Sequence, residues 1–336
     1  MTVLVTGGAG YIGSHTVVAL QEAGHRVVIF DDLSNSSERA VDAVRALVGS
    51  HVEFVRGDAA DADVVSRTIT EYGVDAIVHF AAFKSVSESM ERPMDYFANN
   101  MGSLFGVVKA MEFTGTRKLI FSSSCAVYGE PGDVPVTEAS ATGAASPYGW
   151  TKLHGEQFLK QMAAAGELDV MLLRYFNPVG AHPSGTMGED SSGVSSNLVP
   201  LLMQVALGRH DHLRVYGSDY NTPDGSPVRD YLHVVDLAEG HVAALDALSS
   251  NPGCTTLNIG TGCGYSVLQV VAAAEEVLQC RISLKLVDRR PGDVACIWAQ
   301  TDLAADVLGW TATRDLAQML EDHWRWQKAY PAGFGG

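Results

Sequence analysis

Short apolar runs alternate with amphipathic runs along the first half of the chain. Val3-Leu4-Val5, Arg26 to Phe30, His51 to Arg56, Ala76 to Phe80 and Lys118 to Ser122 read as strands. The first of these is apolar throughout, as a strand covered on both faces is. Ser14 to Ala23, Asp61 to Tyr72 and Pro93 to Gly115 carry helical patterning, with Gly24 placed to end the first helix. Another helix follows the polar loop at 32–36, with Asn35 or Ser36 as its cap. This β-α alternation predicts an α/β protein built on a doubly wound parallel sheet with right-handed crossovers. Beyond about residue 175 the pattern changes. Glycine, proline and serine crowd 177–200 and 217–227, between short helices (197–207, 235–248, 267–278, 303–308, 316–330) and short strands (213–216, 256–259, 282–287). The expected division is therefore 1–175 and a smaller loop-rich α/β lobe, 176–336, whose chain crosses back to the first unit.

The first strand runs directly into Thr6-Gly7-Gly8-Ala9-Gly10-Tyr11-Ile12-Gly13, then a helix, then a strand ending at Asp31. Gly7, Gly10 and Gly13 let the strand turn sharply and let backbone lie against a pyrophosphate. The helix N-terminus adds free N–H groups and a partial positive charge. Asp31, 18 residues past Gly13, stands near the spacing at which an acid takes ribose hydroxyls, and its charge would repel a 2′-phosphate. This is a Rossmann-type pattern for NAD rather than NADP. Asp58, after the third strand, is either an acceptor for an adenine amine or a helix cap. Ala81 and Ala82 keep room at the end of the fourth strand.

Composition narrows the field. With 336 residues and 46% hydrophobic content, the chain can bury a large core. No apolar run approaches a membrane span, and the first strand begins at residue 2, which leaves no signal peptide. The five cysteines, odd in number and widely spaced, read as reduced cytoplasmic thiols and not as a disulfide frame or metal site. A net charge of −16 argues against a nucleic-acid partner. His210-Asp211-His212 reads as a solvated loop, Asp236 as a helix cap, Trp324, Trp326 and Tyr330 as packing, and Cys125 as a buried thiol.

Candidate chemistry gathers at the carboxyl edge of the sheet. Ser122-Ser123-Ser124 follows the fifth strand, and Tyr148 and Lys152 stand at i and i+4 after Ser146-Pro147. An ammonium beside a phenol, reinforced by a positive nicotinamide ring, is expected to lower the Tyr148 pKa and make it a base near neutral pH. Ser124 would share or relay the proton.

TGGAGYIG, SSS and YGWTK together resemble the extended short-chain dehydrogenase/reductase superfamily. LRYFNPVGAHPSG (173–185), Gly188-Glu189-Asp190, VRDYLHV (228–234) and Arg289-Arg290-Pro291-Gly292-Asp293 narrow the resemblance to its UDP-glucose 4-epimerase family, from Val3 to Trp326. The resemblance implies a NAD-binding domain over 1–175 and a UDP-sugar-binding lobe over 176–336. It implies Tyr148 as base and acid on the sugar 4-hydroxyl, Ser124 assisting, and Lys152 on the nicotinamide ribose. NAD contacts are implied at Gly7, Gly10, Tyr11, Ile12, Gly13, Asp31, Asn35, Ser36, Asp58, Ala59, Phe80, Ala81, Ala82, Lys84, Asn99, Ser122, Tyr148, Lys152 and Phe176. UDP-sugar contacts are implied at Lys84, Ser124, Tyr148, Asn177, Asn197, Leu198, Val215, Tyr216, Arg229, Arg290, Asp293 and Ile297. Arg229 and Arg290 suit diphosphate oxygens; their place in glycine- and proline-bounded loops of the second half favours this over a structural ion pair. The implied reaction interconverts UDP-glucose and UDP-galactose through a 4-keto sugar, with NAD tightly held and the sugar held loosely. A homodimer is implied as well.

The absence of Asp or Glu between Ser124 and Glu130 speaks against a 4,6-dehydratase. At 297, where much of the bacterial branch has a tyrosine facing the sugar, this chain has isoleucine. That is either a neutral packing exchange or a roomier pocket admitting UDP-GlcNAc and UDP-GalNAc. Other readings are a NAD-dependent UDP-sugar dehydrogenase or decarboxylase, and a non-catalytic nucleotide-sensing protein, against which the intact Ser124, Tyr148 and Lys152 count.

Overall fold

A computed structural model of the chain describes residues 1–49, 51–190, 197–290 and 292–334. The strands are β1 (Thr2–Thr6), β2 (Arg26–Asp31), β3 (Glu53–Arg56), β4 (Ala76–His79), β5 (Lys118–Ser124), β6 (Asp169–Tyr175), β7 (Asn177–Val179), β8 (Leu213–Tyr216), β9 (Val228–His233), β10 (Cys254–Ile259), β11 (Gly264–Ser266), β12 (Leu284–Val287), β13 (Cys296–Ile297) and β14 (Pro331–Phe334). The helices are α1 (Tyr11–Glu22), α2 (Glu38–Val48), α3 (Ala62–Tyr72), α4 (Val86–Glu91), α5 (Pro93–Thr114), α6 (Pro147–Ala164), α7 (Leu198–Ala206), α8 (Val234–Leu248), α9 (Val267–Leu278), α10 (Asp302–Leu308) and α11 (Leu316–Ala329).

The central seven-stranded sheet is parallel throughout, in the order β3-β2-β1-β4-β5-β6-β10. Its strands are apolar because both faces are covered. Val3 and Val5 enter one core with α1, α2 and α8, while Leu4 enters the other with α3, α5 and α6. Full burial of a side chain such as Leu4 stabilises the fold by about 1.5–3 kcal/mol. The chain winds from β1 outward to β3, then crosses to β4 on the other side of β1. A crevice opens at this reversal, beyond the carboxyl ends of the strands.

The second half does not keep to itself. β10 pairs with β6 and becomes the edge of the large sheet, and α8 packs on the same face as α1. Residue 175 therefore marks a change in sequence pattern but no boundary of the sheet. The remainder builds a small sheet around β9, the β8–β12 ladder, and a separate core with α7, α9 and α11.

Three local expectations change. α1 begins at Tyr11, inside the glycine loop, earlier than Ser14. α2 is capped by Ser37, which leaves Ser36 free to bind Asp31. α8 is capped by His233, whose Nδ1 accepts from the Val235 N–H at 3.0 Å. Asp236 is instead fully buried, pairs with Arg314 and accepts the N–H groups of Thr313 and Arg314.

Candidate active site

A cavity of about 480 Å³ lies between the carboxyl ends of the large sheet and the second-half lobe. Gly7, Gly10, Tyr11, Ile12 and Gly13 line its floor. A Cβ on Gly7 would come within 2.7 Å of the Ala81 nitrogen, and one on Gly13 within 2.2 Å of the Gly7 carbonyl oxygen. Gly7 also has φ +68°, the left-handed region. No side chain caps α1 at Gly10, so its first-turn N–H groups remain available to an anion. The cradle fits a dinucleotide pyrophosphate.

Asp31 closes β2 at the cavity wall. Its carboxylate accepts from the Ala9 N–H (3.0 Å), the Leu33 N–H (2.9 Å) and the Ser36 hydroxyl (2.8 Å). Burial pushes its pKa up, and these bonds oppose the shift. The Asp58 carboxylate accepts from the Ala60 N–H at 2.9 Å, and the cap of α3 is Asp61. Ser36, Asn35, Ala59, Phe80, Ala81, Ala82, Lys84, Asn99 and Phe176 line the same cavity. Asn99 donates to Asn100, which in turn bonds Phe83 and Thr151.

Ser122 and Ser124 end β5, and α6 starts opposite them. The Ser146 hydroxyl accepts from the Gly149 N–H at 3.2 Å, and Pro147 occupies the first turn. Tyr148 and Lys152 then share a face, with the ammonium 6.0 Å from the phenol ring centre. Lys152 donates to the Ser122 carbonyl at 2.7 Å. Burial pushes Lys152 down to about 7 and pushes Tyr148 up to about 12, against the pull of the Ser124 hydroxyl. The lowered phenol expected from Lys152 is thus not a property of the chain alone: desolvation is the largest cause acting on Tyr148, and the Ser124 hydroxyl is what opposes it. Ser124 also caps the turn Cys125–Tyr128 by accepting from the Ala126 N–H at 3.2 Å. Cys125 is partly buried, and burial pushes its thiol up to about 12.

On the lobe side, Asn177, Asn197, Leu198, Tyr216, Arg229, Arg290, Asp293 and Ile297 line the cavity. Val215 does not: it is buried, while its β8 neighbours Leu213, Arg214 and Tyr216 line the cavity. Arg229 lies 3.6 Å from Asp293 and donates to the Val228 carbonyl. The Arg290 guanidinium lies 4.2 Å over the Tyr216 ring. Arg289 turns away to Asp219 and Tyr220, and Pro291 lies outside the described residues. Ile297 is buried beside Phe176, Leu153 and Val127.

Sequence reasoning missed the supports. Glu156 accepts from Arg174 at 2.8 and 2.6 Å, behind the serine run. Tyr175, on the cavity wall, bonds the His241 ring, whose other nitrogen faces the Leu237 carbonyl at 2.8 Å. Glu189, also on the wall, was visible only as part of the string 188–190.

Comparison with known proteins agrees with this geometry. Residues 3–260 match the profile of the NAD dependent epimerase/dehydratase family. The UDP-glucose 4-epimerase of Bacillus subtilis (strain 168) is 48% identical over 335 residues, covering 99% of each chain. That of Homo sapiens is 47% identical over 341 residues, covering 99% of this chain and 98% of its own. The crystal structure of the Bifidobacterium longum UDP-glucose 4-epimerase in complex with NAD+ and UDP superposes with TM-score 0.97. It is 43% identical and covers 99% of this chain and 100% of that one. The chain belongs to the NAD dependent epimerase/dehydratase family and, within it, to the UDP-glucose 4-epimerases, isomerases whose cofactor is NAD.

Proposed function

We propose that this chain interconverts UDP-glucose and UDP-galactose by passing the sugar C4 through a ketone, with Tyr148 as base and then acid. The observation that carries the reading is the meeting of Ser124, Tyr148 and Lys152 with the glycine cradle in one cavity. NAD, when bound, supplies the hydride acceptor and donor and a positive ring near the phenol. Gly7, Gly10 and Gly13 give its pyrophosphate backbone to lie against, and Asp31 takes the ribose. Lys152 binds the nicotinamide ribose and adds positive charge near Tyr148, and Ser124 steadies the proton on the phenol oxygen. Arg229 and Arg290 hold the diphosphate, with Asp293 on a ribose hydroxyl. Holding the UDP part firmly and the sugar loosely lets a ketone turn its other face without escaping.

The test is purified protein with UDP-galactose and no added cofactor, followed by NMR and by absorbance at the NADH band. Conversion to UDP-glucose without net NADH is expected. Stoichiometric NADH would point to a dehydrogenase, and bound NAD without turnover to a sensing protein.

Three finer readings belong with this proposal. Ile297, shorter than tyrosine and on the cavity wall, supports acceptance of UDP-GlcNAc and UDP-GalNAc. Turnover of UDP-galactose with UDP-GalNAc left untouched would overturn this. Met94, Phe105 and Phe113 on α5 and Trp150 on α6 are exposed apolar side chains, which supports a homodimer through these helices. Sedimentation should give a dimer that Phe113→Asp weakens, and a monomeric parent would exclude it. The five free thiols support a cytoplasmic location; among the described residues no helix is long and apolar enough to cross a membrane.

A further inference from the structure

Glu189 carries no role in the chemistry above, yet its carboxylate is almost wholly buried on the wall of the cavity, with 3% of the side chain exposed. One oxygen, Oε1, takes two donors. The Lys84 ammonium reaches it at 2.9 Å and the Asn197 amide nitrogen at 2.8 Å. Lys84 follows β4, beside the glycine cradle, and its ammonium lies 5.6 Å over the Tyr11 ring. Asn197 stands at the start of α7, in the lobe. The two donors come from the two sides of the cavity, and a single atom joins them.

Glu189 is itself held in place. A Cβ on Gly188 would fall 2.4 Å from the Trp326 ring, so only glycine lets the chain lie flat on that buried indole. On the other side the Asp190 carboxylate accepts the Phe334 N–H at 2.9 Å. Tyr11 donates to the Gly180 carbonyl at 2.7 Å, which ties the glycine loop to the same stretch of lobe. The backbone is thus anchored on both sides of Glu189, and its Oε1 is shared by two donors.

We infer that Glu189 is a positioning residue that couples Lys84, on the cofactor side, to Asn197, on the nucleotide-sugar side, through Oε1. The inference rests on the proposed reading of the cavity as a site for NAD and a UDP-hexose. A group that displaces Lys84 from Oε1 leaves that oxygen wholly to Asn197, and the reverse also holds. The energetic effects of Lys84 and Asn197 on nucleotide binding are therefore not independent.

The test is a double-mutant cycle of Lys84→Met and Asn197→Ala on the NAD-loaded protein, read as UDP affinity by titration calorimetry. The cycle is then repeated with Glu189→Leu in the background, which removes the shared acceptor. In the parent the two changes should depart from multiplicative behaviour by roughly fivefold or more. In the Glu189→Leu background the departure should fall below about twofold. A multiplicative parent cycle overturns the inference whether or not Glu189→Leu folds. So does a coupling that survives Glu189→Leu. Failure of the parent to bind UDP at all sinks the reading of the cavity itself, and the inference with it.

Discussion

Ser123 donates its hydroxyl hydrogen to Glu156 at 2.6 Å, from inside the serine run that ends at the Ser124 of the site. The same carboxylate takes both arms of Arg174, and all three residues are buried. Arg174 continues to Tyr128, and Tyr128 to Asn258 on β10. The end of β5 is thus fixed by a polar network reaching the sheet's far edge. Removing one partner leaves an uncompensated buried charge, which costs about 3–5 kcal/mol. Glu156→Leu should lose that much in urea unfolding, and Glu156→Leu with Arg174→Met should recover most of it. A single variant within about 1 kcal/mol of the parent would contradict this account.

Tyr148→Phe removes the only proposed base while keeping ring and packing. Turnover of UDP-galactose should fall by roughly 10²–10⁴-fold, with UDP affinity held within about threefold because the role proposed for the phenol is on the sugar and not on the nucleotide. Single-turnover kinetics and calorimetry on one preparation separate the two effects.

Acid should unfold the protein early. Burial pushes His15 and His79 down to about 3 and His241 and His323 down to about 4. These rings stay neutral in the folded state, whereas the unfolded chain takes up protons once pH falls below about 6.5. Stability is therefore full above that pH and declines as pH falls from about 6.5 toward 4, by about 1.4 kcal/mol per pH unit for each ring. Melting temperatures should drop across this window, and the decline should begin above the ordinary carboxylate range. His79→Gln should make the decline shallower, and a flat curve from pH 6.5 to 4.5 would refute the point.

Gly13→Ala tests the cradle. Its Cβ would meet backbone, at the Gly7 carbonyl, so nothing flexible can yield. The variant should purify with less bound NAD, measured as nucleotide released on denaturation, even where circular dichroism still reports a folded sheet. Full NAD content would show that the loop can shift.

What the chain discloses without a structure follows from distance along it. The strand pattern of β1 to β5, the glycines of the turn and the i,i+4 pair Tyr148 and Lys152 are all local, and each was legible. Asp236 was misjudged because its partner, Arg314, lies 78 residues on. The Glu156–Arg174 pair and the shared oxygen of Glu189 are equally non-local. The Tyr148 phenol shifted opposite to expectation because burial, which decides it, is a property of the assembled cavity. Val215, carried over from the family resemblance, is buried off the cavity wall, and burial again is a property of the assembled lobe.

β10 completes the cofactor sheet from beyond residue 250. During synthesis the first 175 residues emerge with β6 unpaired along one edge, and that open edge persists until the chain reaches Ile259. The cofactor half is therefore a poor candidate for independent expression, since a fragment ending at 175 would present a ready template for aggregation. The edge of β6 is covered only when β10 docks, so closure of this sheet is a late event that waits on the second half of the chain.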